Sequence, residues 1–97
     1  MDEHSSLRER ARQLIQAGRL PNRRPDCMWA DDEGSGADCA VCHDPLQLGK
    51  IEYELEFAPL DGASQRADLY HLHVRCFVAW YEERRDLERA TLQTAHA

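Results

Sequence analysis

The fold of this chain depends on two short stretches, CAVC at residues 39–42 and HVRC at residues 73–76, with 30 residues between them. In a Cys-x-x-Cys turn, both sulfurs can reach one ion at about 2.3 Å. The second stretch opens a run with helical periodicity, in which residues three apart lie on the same face of a helix. The two stretches together can therefore close one tetrahedral zinc site.

The predicted metal ligands are Cys39, Cys42, His73 and Cys76. Four protein ligands of the Cys₃His type saturate tetrahedral Zn²⁺, whereas catalytic zinc sites usually keep one position for water or substrate. We therefore expect a structural zinc ion. The sequence offers no catalytic constellation beside it, and we expect neither enzymatic activity nor a small-molecule substrate.

Three other residues are alternative ligands. His71 lies two residues before His73, and strand residues two apart face the same side, so spacing alone does not exclude it. His73 is favoured because it stands three residues before Cys76 at a helix start. His43 and Cys27 are further substitutes, although Cys27 has the character of a free or buried thiol.

The same cysteines allow other kinds of site. Residues 39–43 read CAVCH, which matches the C-x-x-C-H pattern of covalent haem attachment. That chemistry and a disulfide framework both belong to oxidising compartments, and residues 1–15 contain no apolar signal-peptide core. A thioredoxin-like redox pair needs a βαβ context, which the sequence does not show. Structural zinc in a cytoplasmic protein is the favoured prediction.

Length and charge restrict the number of domains and the class of protein. A chain of 97 residues fits a single domain, 1–97, with a modest core, for which a structural zinc site can contribute about 10–16 kcal/mol of apparent binding energy. No apolar run approaches the length of about 18 residues that a membrane span needs. Residues 1–25 carry six arginines and three acids, residues 26–62 carry ten acids and one lysine, and residues 63–97 are balanced.

Residues 6–17 are predicted to form an N-terminal helix. A capping box begins at Ser6, and an apolar stripe of Leu7, Ala11, Leu14 and Ile15 follows at helical spacing. Residues 18–38 are predicted to form an irregular acidic loop, because prolines and the GSG stretch at 34–36 interrupt regular hydrogen bonding. We expect Trp29 to attach this loop to the core.

After the first ligand pair, residues 51–57 alternate strictly between apolar and acidic side chains, which predicts a half-buried strand. Ile51, Tyr53, Leu55 and Phe57 are expected to face the core. The other face would carry a row of solvent-exposed glutamates, Glu52, Glu54 and Glu56. PLDG at 59–62 predicts a turn, and residues 67–72 are expected to return as the second strand of a β-hairpin.

The second ligand pair leads into a predicted helix that extends to about residue 91. Val74, Phe77, Val78 and Tyr81 are expected to form its apolar face. Trp80 lies nearly opposite Val78 on the helical wheel, and burial is the default expectation for an indole. The predicted order over residues 39–91 is therefore zinc knuckle, hairpin and helix.

This order resembles a treble-clef zinc finger over residues 39 to about 90. The spacing of the four ligands, together with Tyr70, His71 and Phe77, is also similar to the zinc fingers of poly(ADP-ribose) polymerase, which recognise DNA breaks. The resemblance implies an α+β, zinc-stabilised treble-clef-like fold with an added N-terminal helix. It also implies the ligand set Cys39, Cys42, His73 and Cys76. The acidic hairpin disfavours the corresponding DNA function, because phosphates require basic side chains.

The whole chain also looks similar to a group of small, uncharacterised proteobacterial proteins. The resemblance lies in RLP at 19–21, GSG at 34–36, YE at 53–54, LH at 72–73 and CF at 76–77. It implies a bacterial, cytosolic setting and no particular activity.

The favoured function is that of a protein-interaction or regulatory adaptor. Its contact surface would be the glutamate row, the Trp29 loop or the arginine-bearing helix, and a basic partner would suit the acidic middle of the chain. The first alternative is nucleic-acid binding through the N-terminal arginines, Arg8, Arg10, Arg12, Arg19, Arg23 and Arg24. The second alternative is a redox or metal sensor, in which oxidation of the thiolates releases zinc.

Overall fold

The computed structural model describes residues 2–32, 36–59 and 67–95. The predicted α+β class is confirmed, with two helices and a three-stranded antiparallel sheet in the order β1-β2-β3. The elements in chain order are α1 Glu3–Gln16, β1 Cys27–Asp31, β2 Glu52–Phe57, β3 Asp68–His73 and α2 Val74–Ala95.

The N-terminal helix begins three residues earlier than predicted. Its N-cap is Asp2, whose carboxylate accepts a hydrogen bond of 2.7 Å from the backbone N–H of Ser5. An aspartate at this position satisfies a helix-terminal N–H group as well as the predicted serine does, so the capping box at Ser6 is not the start signal. The apolar stripe is confirmed, since Leu7, Ala11 and Ile15 are buried.

The prediction of an irregular loop over residues 18–38 is wrong at β1. This strand pairs antiparallel with β2, and its central residue Trp29 lies opposite Glu54. The sequence CMWAD shows no alternation of apolar and polar residues. All but the last residue of the strand are exposed, so neither face of β1 is marked by a buried apolar set. A strand that is specified mainly by backbone pairing with a distant partner leaves little trace in the local pattern.

The hairpin is confirmed in its two strands, β2 and β3, which pair with Tyr53 opposite Leu72. Most of the predicted turn lies outside the described residues, so its type stays a prediction. Leu55 and Phe57 are buried as expected. Ile51 precedes the strand and is exposed, which contradicts the prediction that it faces the core.

The predicted row of solvent-exposed glutamates is also wrong. Glu52 is only 1% exposed, and its carboxylate lies 3.0 Å from Nδ1 of His71 on the neighbouring strand. Glu54 accepts a hydrogen bond of 2.8 Å from the indole N–H of Trp29. The alternation sets the side of the sheet on which these residues lie, but cross-strand partners from β1 and β3 cover that side.

The buried face of the C-terminal helix differs from the prediction. Val74, Val78 and Tyr81 are exposed, whereas Cys76, Ala79, Trp80, Glu83 and Arg84 are buried. The helix is rotated so that Cys76 faces the other cysteines, and residues three and four positions further along follow it into the interior. The requirement to bring Cys76 inward therefore overrides the apparent apolar stripe. The helix also continues to Ala95, beyond the predicted end near residue 91.

Trp80 occupies the centre of the core. Its ring centroid lies 6.3 Å from that of Phe57 and 6.0 Å from that of Phe77. The indole N–H donates a hydrogen bond of 3.0 Å to the carbonyl of Pro21. Trp80 thus joins α2 to the hairpin and to the segment that follows α1, and its polar atom is satisfied in the interior.

The two helices are joined by ion pairs as well as by apolar packing. Glu83 of α2 is 2% exposed, and its carboxylate lies 3.1 Å from Nη2 of Arg12 and 3.4 Å from Nε of Arg8. Arg8 also contacts Glu82 at 3.4 Å and pairs with Asp86. A buried carboxylate needs such compensation, so the basic face of α1 matches the acidic face of α2.

We expect Trp80→Ala to destabilise the metal-loaded protein by about 3–5 kcal/mol, because it leaves a large cavity among the core aromatic rings. The matched control is Trp29→Ala, since Trp29 is 43% exposed; it should cost about 1 kcal/mol or less. Urea unfolding, followed by circular dichroism, gives both values. Equal losses in the two variants would contradict the assignment of Trp80 as the central core residue.

Candidate metal centre

The first ligand pair lies in a tight turn between two backbone hydrogen bonds. The N–H of His43 donates to the carbonyl of Cys39 at 2.9 Å, and the N–H of Cys39 donates to the carbonyl of Asp44 at 2.9 Å. His43 has a φ of 67°, in the left-handed region that reverses the chain after Cys42. This turn directs both thiols to the same side of the backbone.

Two contacts hold this turn in place. The N–H of Ala40 donates a hydrogen bond of 2.9 Å to the carbonyl of His71 in β3. On the other side, Nε of Arg10 in α1 donates to the carbonyl of Val41 at 2.6 Å. The turn is therefore connected both to the hairpin and to the N-terminal helix, and its position does not depend on the cysteines alone.

The second ligand pair lies at the junction between β3 and α2. His73 is the last residue of the strand, and the helix begins at Val74, so that Cys76 lies in its first turn. The change from extended to helical backbone brings the imidazole of His73 and the thiol of Cys76 together. The predicted placement of the second pair at a helix start agrees with this geometry.

The structure brings the four predicted ligands together. One donor atom from each of Cys39, Cys42, His73 and Cys76 lies within 4.8 Å of the other three. Nδ1 of His73 is 3.4 Å from Sγ of Cys42 and 3.9 Å from Sγ of Cys76. Donor atoms at the corners of a tetrahedral zinc site are separated by about 3.5–3.8 Å. The cluster therefore has the dimensions of a tetrahedral metal site with Nδ1 as the imidazole donor.

The burial of the donors also fits a metal ion. Cys39 and Cys76 are fully buried, whereas Cys42 and His73 are partly exposed. The backbone N–H of Val41 points at Sγ of Cys39 at a distance of 3.4 Å, as expected for a sulfur that carries negative charge. Buried thiolates require a compensating cation, and a divalent ion at the centre of the cluster supplies one.

The thiols influence each other's protonation. Interaction with the Cys76 thiol lowers the pKa of Cys39 to about 4. The same interaction raises the pKa of Cys76, and burial raises the pKa of Cys42. In the absence of a cation, the contacts among the thiols therefore favour the thiolate at Cys39 and the protonated thiol at Cys42 and Cys76. A bound metal ion deprotonates coordinating thiols, so binding would displace the thiol protons that remain.

The alternative ligands lie elsewhere. Nδ1 of His71 lies 3.0 Å from the carboxylate of Glu52, and Nδ1 of exposed His43 lies 2.6 Å from Nη2 of Arg10. Cys27 is an exposed, free thiol on β1. Within residues 2–32, 36–59 and 67–95, the single group of metal-binding side chains at short range is Cys39, Cys42, His73 and Cys76.

Two supporting residues were not predicted from the sequence. Glu52 orients His71, whose backbone carbonyl binds Ala40 in the first ligand pair. Arg10 contacts Val41 and His43 on the opposite side of the same turn. The role of Glu52 depends on the cross-strand register, which a local sequence pattern does not specify, and Arg10 belongs to a helix that is distant along the chain.

The donor set restricts the kind of metal. Three thiolates and one imidazole in a tetrahedral arrangement suit a soft or borderline ion such as Zn²⁺, whereas Ca²⁺ and Mg²⁺ prefer oxygen ligands. With four protein donors, a tetrahedral ion has no coordination position left for water. A metal ion held by all four donors would therefore fix the chain around it.

Comparison with models of protein families, with curated proteins and with solved structures gives no match to this chain. The resemblances to treble-clef fingers, to the poly(ADP-ribose) polymerase fingers and to the proteobacterial group therefore rest on the sequence motifs alone. None of the helices in the described part of the chain combines the length and apolarity that crossing a bilayer requires.

We expect one metal ion per chain when the reduced protein is purified without added metal. His73→Gln should weaken Zn²⁺ binding by about tenfold or more, because it removes one of four donors. The matched control, His71→Gln, should retain one ion per chain, since His71 is bound to Glu52. Elemental analysis and a competitive chelator titration measure both quantities. Loss of metal in the control with retention in His73→Gln would assign the imidazole ligand to His71.

We also expect Zn²⁺ binding at pH 8 to release fewer than three thiol protons per ion, because contact among the thiols lowers the pKa of Cys39. Calorimetric titrations in buffers of different ionisation enthalpy count the released protons. The control is Cys27→Ser, which removes a thiol outside the cluster and should leave the count unchanged. A release of three protons per ion would mean that all three thiols are protonated before the metal binds, and would contradict a lowered pKa for Cys39.

Proposed function

We propose that this chain is a protein-interaction adaptor whose fold is stabilised by a structural zinc ion. The observation that carries the proposal is the convergence of the Cys39, Cys42, His73 and Cys76 donors within 4.8 Å. A saturated Cys₃His site stabilises a fold and offers no position for a substrate. This supports a binding role, with no enzymatic activity, for the surfaces that the zinc site holds in place.

The outer edge of β1 is the surface that supports docking best. β1 is an edge strand, and among the described residues β2 is the one strand that pairs with it. Met28 is 49% exposed and Trp29 is 43% exposed, and adjacent strand residues point to opposite faces. An extended segment that adds to this edge would gain backbone hydrogen bonds and would cover both apolar side chains.

The charge around this edge indicates the chemistry of the partner. Residues 26–62 carry ten acids and a single lysine, and several of the acids flank Met28 and Trp29. Asp31 and Asp32 follow Trp29 in the chain, and β2 places Glu54 and Glu56 beside the strand. We therefore propose a basic, extended protein segment with alternating apolar side chains as the partner, because opposite charge favours its encounter with this edge.

The nucleic-acid alternative has less support. Four of the six N-terminal arginines make contacts within the chain, so they are not freely available for phosphates. Arg8 and Arg12 pair with Glu83, Arg10 binds the carbonyl of Val41, and Arg23 pairs with Asp26 at 3.2 Å. The sensor alternative rests on Cys42, which is the most exposed thiol of the cluster and the one that an oxidant would reach first.

The docking proposal is tested by selecting a displayed random-peptide library against the immobilised, zinc-loaded protein. We expect enrichment of sequences that contain Lys or Arg together with alternating apolar residues. Synthetic peptides from the selection should bind the Met28→Ser/Trp29→Ser variant at least tenfold more weakly than the parent protein, because the variant removes the apolar contacts. Fluorescence anisotropy measures this binding.

The matched control is Leu48→Ser/Val78→Ser, which removes two exposed apolar side chains elsewhere. It should leave peptide affinity unchanged within about twofold. Equal losses in the two double variants, or the absence of any enriched sequence, would contradict docking at the β1 edge. Neither result would affect the assignment of the metal ligands, which has its own measurements.

A further inference from the structure

A groove beside the C-terminal helix concentrates positive charge in a protein whose net charge is −6. The groove has a volume of about 340 Å³ and is lined by four arginines, one aromatic ring and one carboxylate. The lining residues are Arg24, Tyr81, Arg84, Arg85, Glu88 and Arg89. None of them belongs to the metal centre or to the β1 edge.

Arg84 is a buried residue of this groove, and contacts with its neighbours hold its side chain in place. Its side chain is 6% exposed, and its guanidinium lies 5.8 Å from the ring centroid of Trp80 and 5.4 Å from that of Tyr81. Nη1 donates a hydrogen bond of 3.1 Å to Glu88. Nε is buried and, within the described part of the chain, lacks a hydrogen-bond partner. The charge of this buried arginine is thus only partly compensated.

The neighbouring arginines add to the excess of positive charge. The guanidinium of Arg85 lies 5.7 Å from the ring centroid of Tyr81. This ring therefore makes cation–π contacts with both Arg84 and Arg85. Among the described residues, Arg24 and Arg89 have no ion-pair partner. Glu88 is the one acid that lines the groove with these four arginines. Four like charges around one cavity repel each other, and a bound anion would offset this repulsion.

We propose that this groove binds a phosphate or phosphomonoester dianion. A guanidinium offers five N–H donors in a planar fork that matches the oxygens of a phosphate group, and arginine is the residue best suited to such recognition. A dianion would offset much of the local excess of charge, which a single carboxylate such as Glu88 does not. The inference goes beyond the proposed adaptor function and does not depend on it.

The surroundings favour a small anion. An adjoining cavity of about 410 Å³ shares Arg24, Arg84 and Glu88 with the groove and extends to Asn22 and Thr91. This space can hold the organic part of a small phosphomonoester, and the exposed ring of Tyr81 offers an apolar contact. A long polyanion would also meet the acidic surface of residues 26–62, whereas a single phosphate group meets the groove alone.

The test is a titration of the zinc-loaded protein with inorganic phosphate and, separately, with phenyl phosphate at pH 8 and low ionic strength. Both probes are mainly dianions at this pH, since the second pKa is about 6 for a phosphomonoester and about 7 for inorganic phosphate. Nuclear magnetic resonance of the arginine Nε–H groups and the backbone amides reports both affinity and location. We expect saturable shifts at Arg84, Arg85 and Arg89, with sodium chloride at equal ionic strength as the reference salt.

Variants separate a specific site from general charge attraction. Arg24→Gln/Arg89→Gln removes two exposed arginines from the groove and should weaken phosphate binding by at least tenfold. Arg19→Gln/Lys50→Gln removes the same charge at exposed positions outside the groove and should change affinity by less than twofold. Circular dichroism and metal content verify that both variants are folded, and neither pair touches the metal ligands.

The outcomes decide the proposal. Tighter binding of phenyl phosphate than of inorganic phosphate would identify an ester as the ligand type, and equal or weaker binding would identify free phosphate; both support the site. Equal weakening in the two double variants, or shifts that do not saturate beyond those caused by sodium chloride, would overturn it. Saturable shifts that map to other residues would also overturn it.

Discussion

The convergence of three thiols and one imidazole is the constraint on which the other elements depend. The CAVC turn must face the junction between β3 and α2, because the donors of Cys39 and Cys42 lie within 4.8 Å of those of His73 and Cys76. That requirement fixes the rotation of α2, places Cys76 inward and brings Trp80 into the core one turn later. The exposed positions of Val78 and Tyr81 follow from the same rotation.

The N-terminal helix is attached to this centre by a different kind of interaction. Its buried residues Leu7, Ala11 and Ile15 pack into the core, and its arginines pair with acids of α2 around the buried carboxylate of Glu83. A buried carboxylate without partners is costly, so the arginines stabilise the contact between the helices. Arg8 and Arg12 are therefore engaged in contacts within the chain.

The remaining charges are separated into two surfaces of opposite sign. The β1 edge, with Met28 and Trp29, lies in the acidic middle of the chain, whereas the groove around Tyr81 is lined by four arginines. The two proposed ligands, a basic protein segment and a phosphate dianion, would therefore bind to different parts of the molecule. Each surface repels the ligand of the other, so the two ligands would not compete for one surface.

The sequence by itself determined the local features: the ligand spacing, the alternation of β2 and the apolar stripe of α1. These depend on short-range geometry, in which side-chain periodicity and turn spacing are sufficient. Only the tertiary structure decided which face of α2 is buried, that Glu52 is covered beside His71, and that residues 27–31 form a strand. These outcomes depend on partners far away in the chain. A period of two or of 3.6 shows which residues share a face, but the contacts of that face are set by what packs against it.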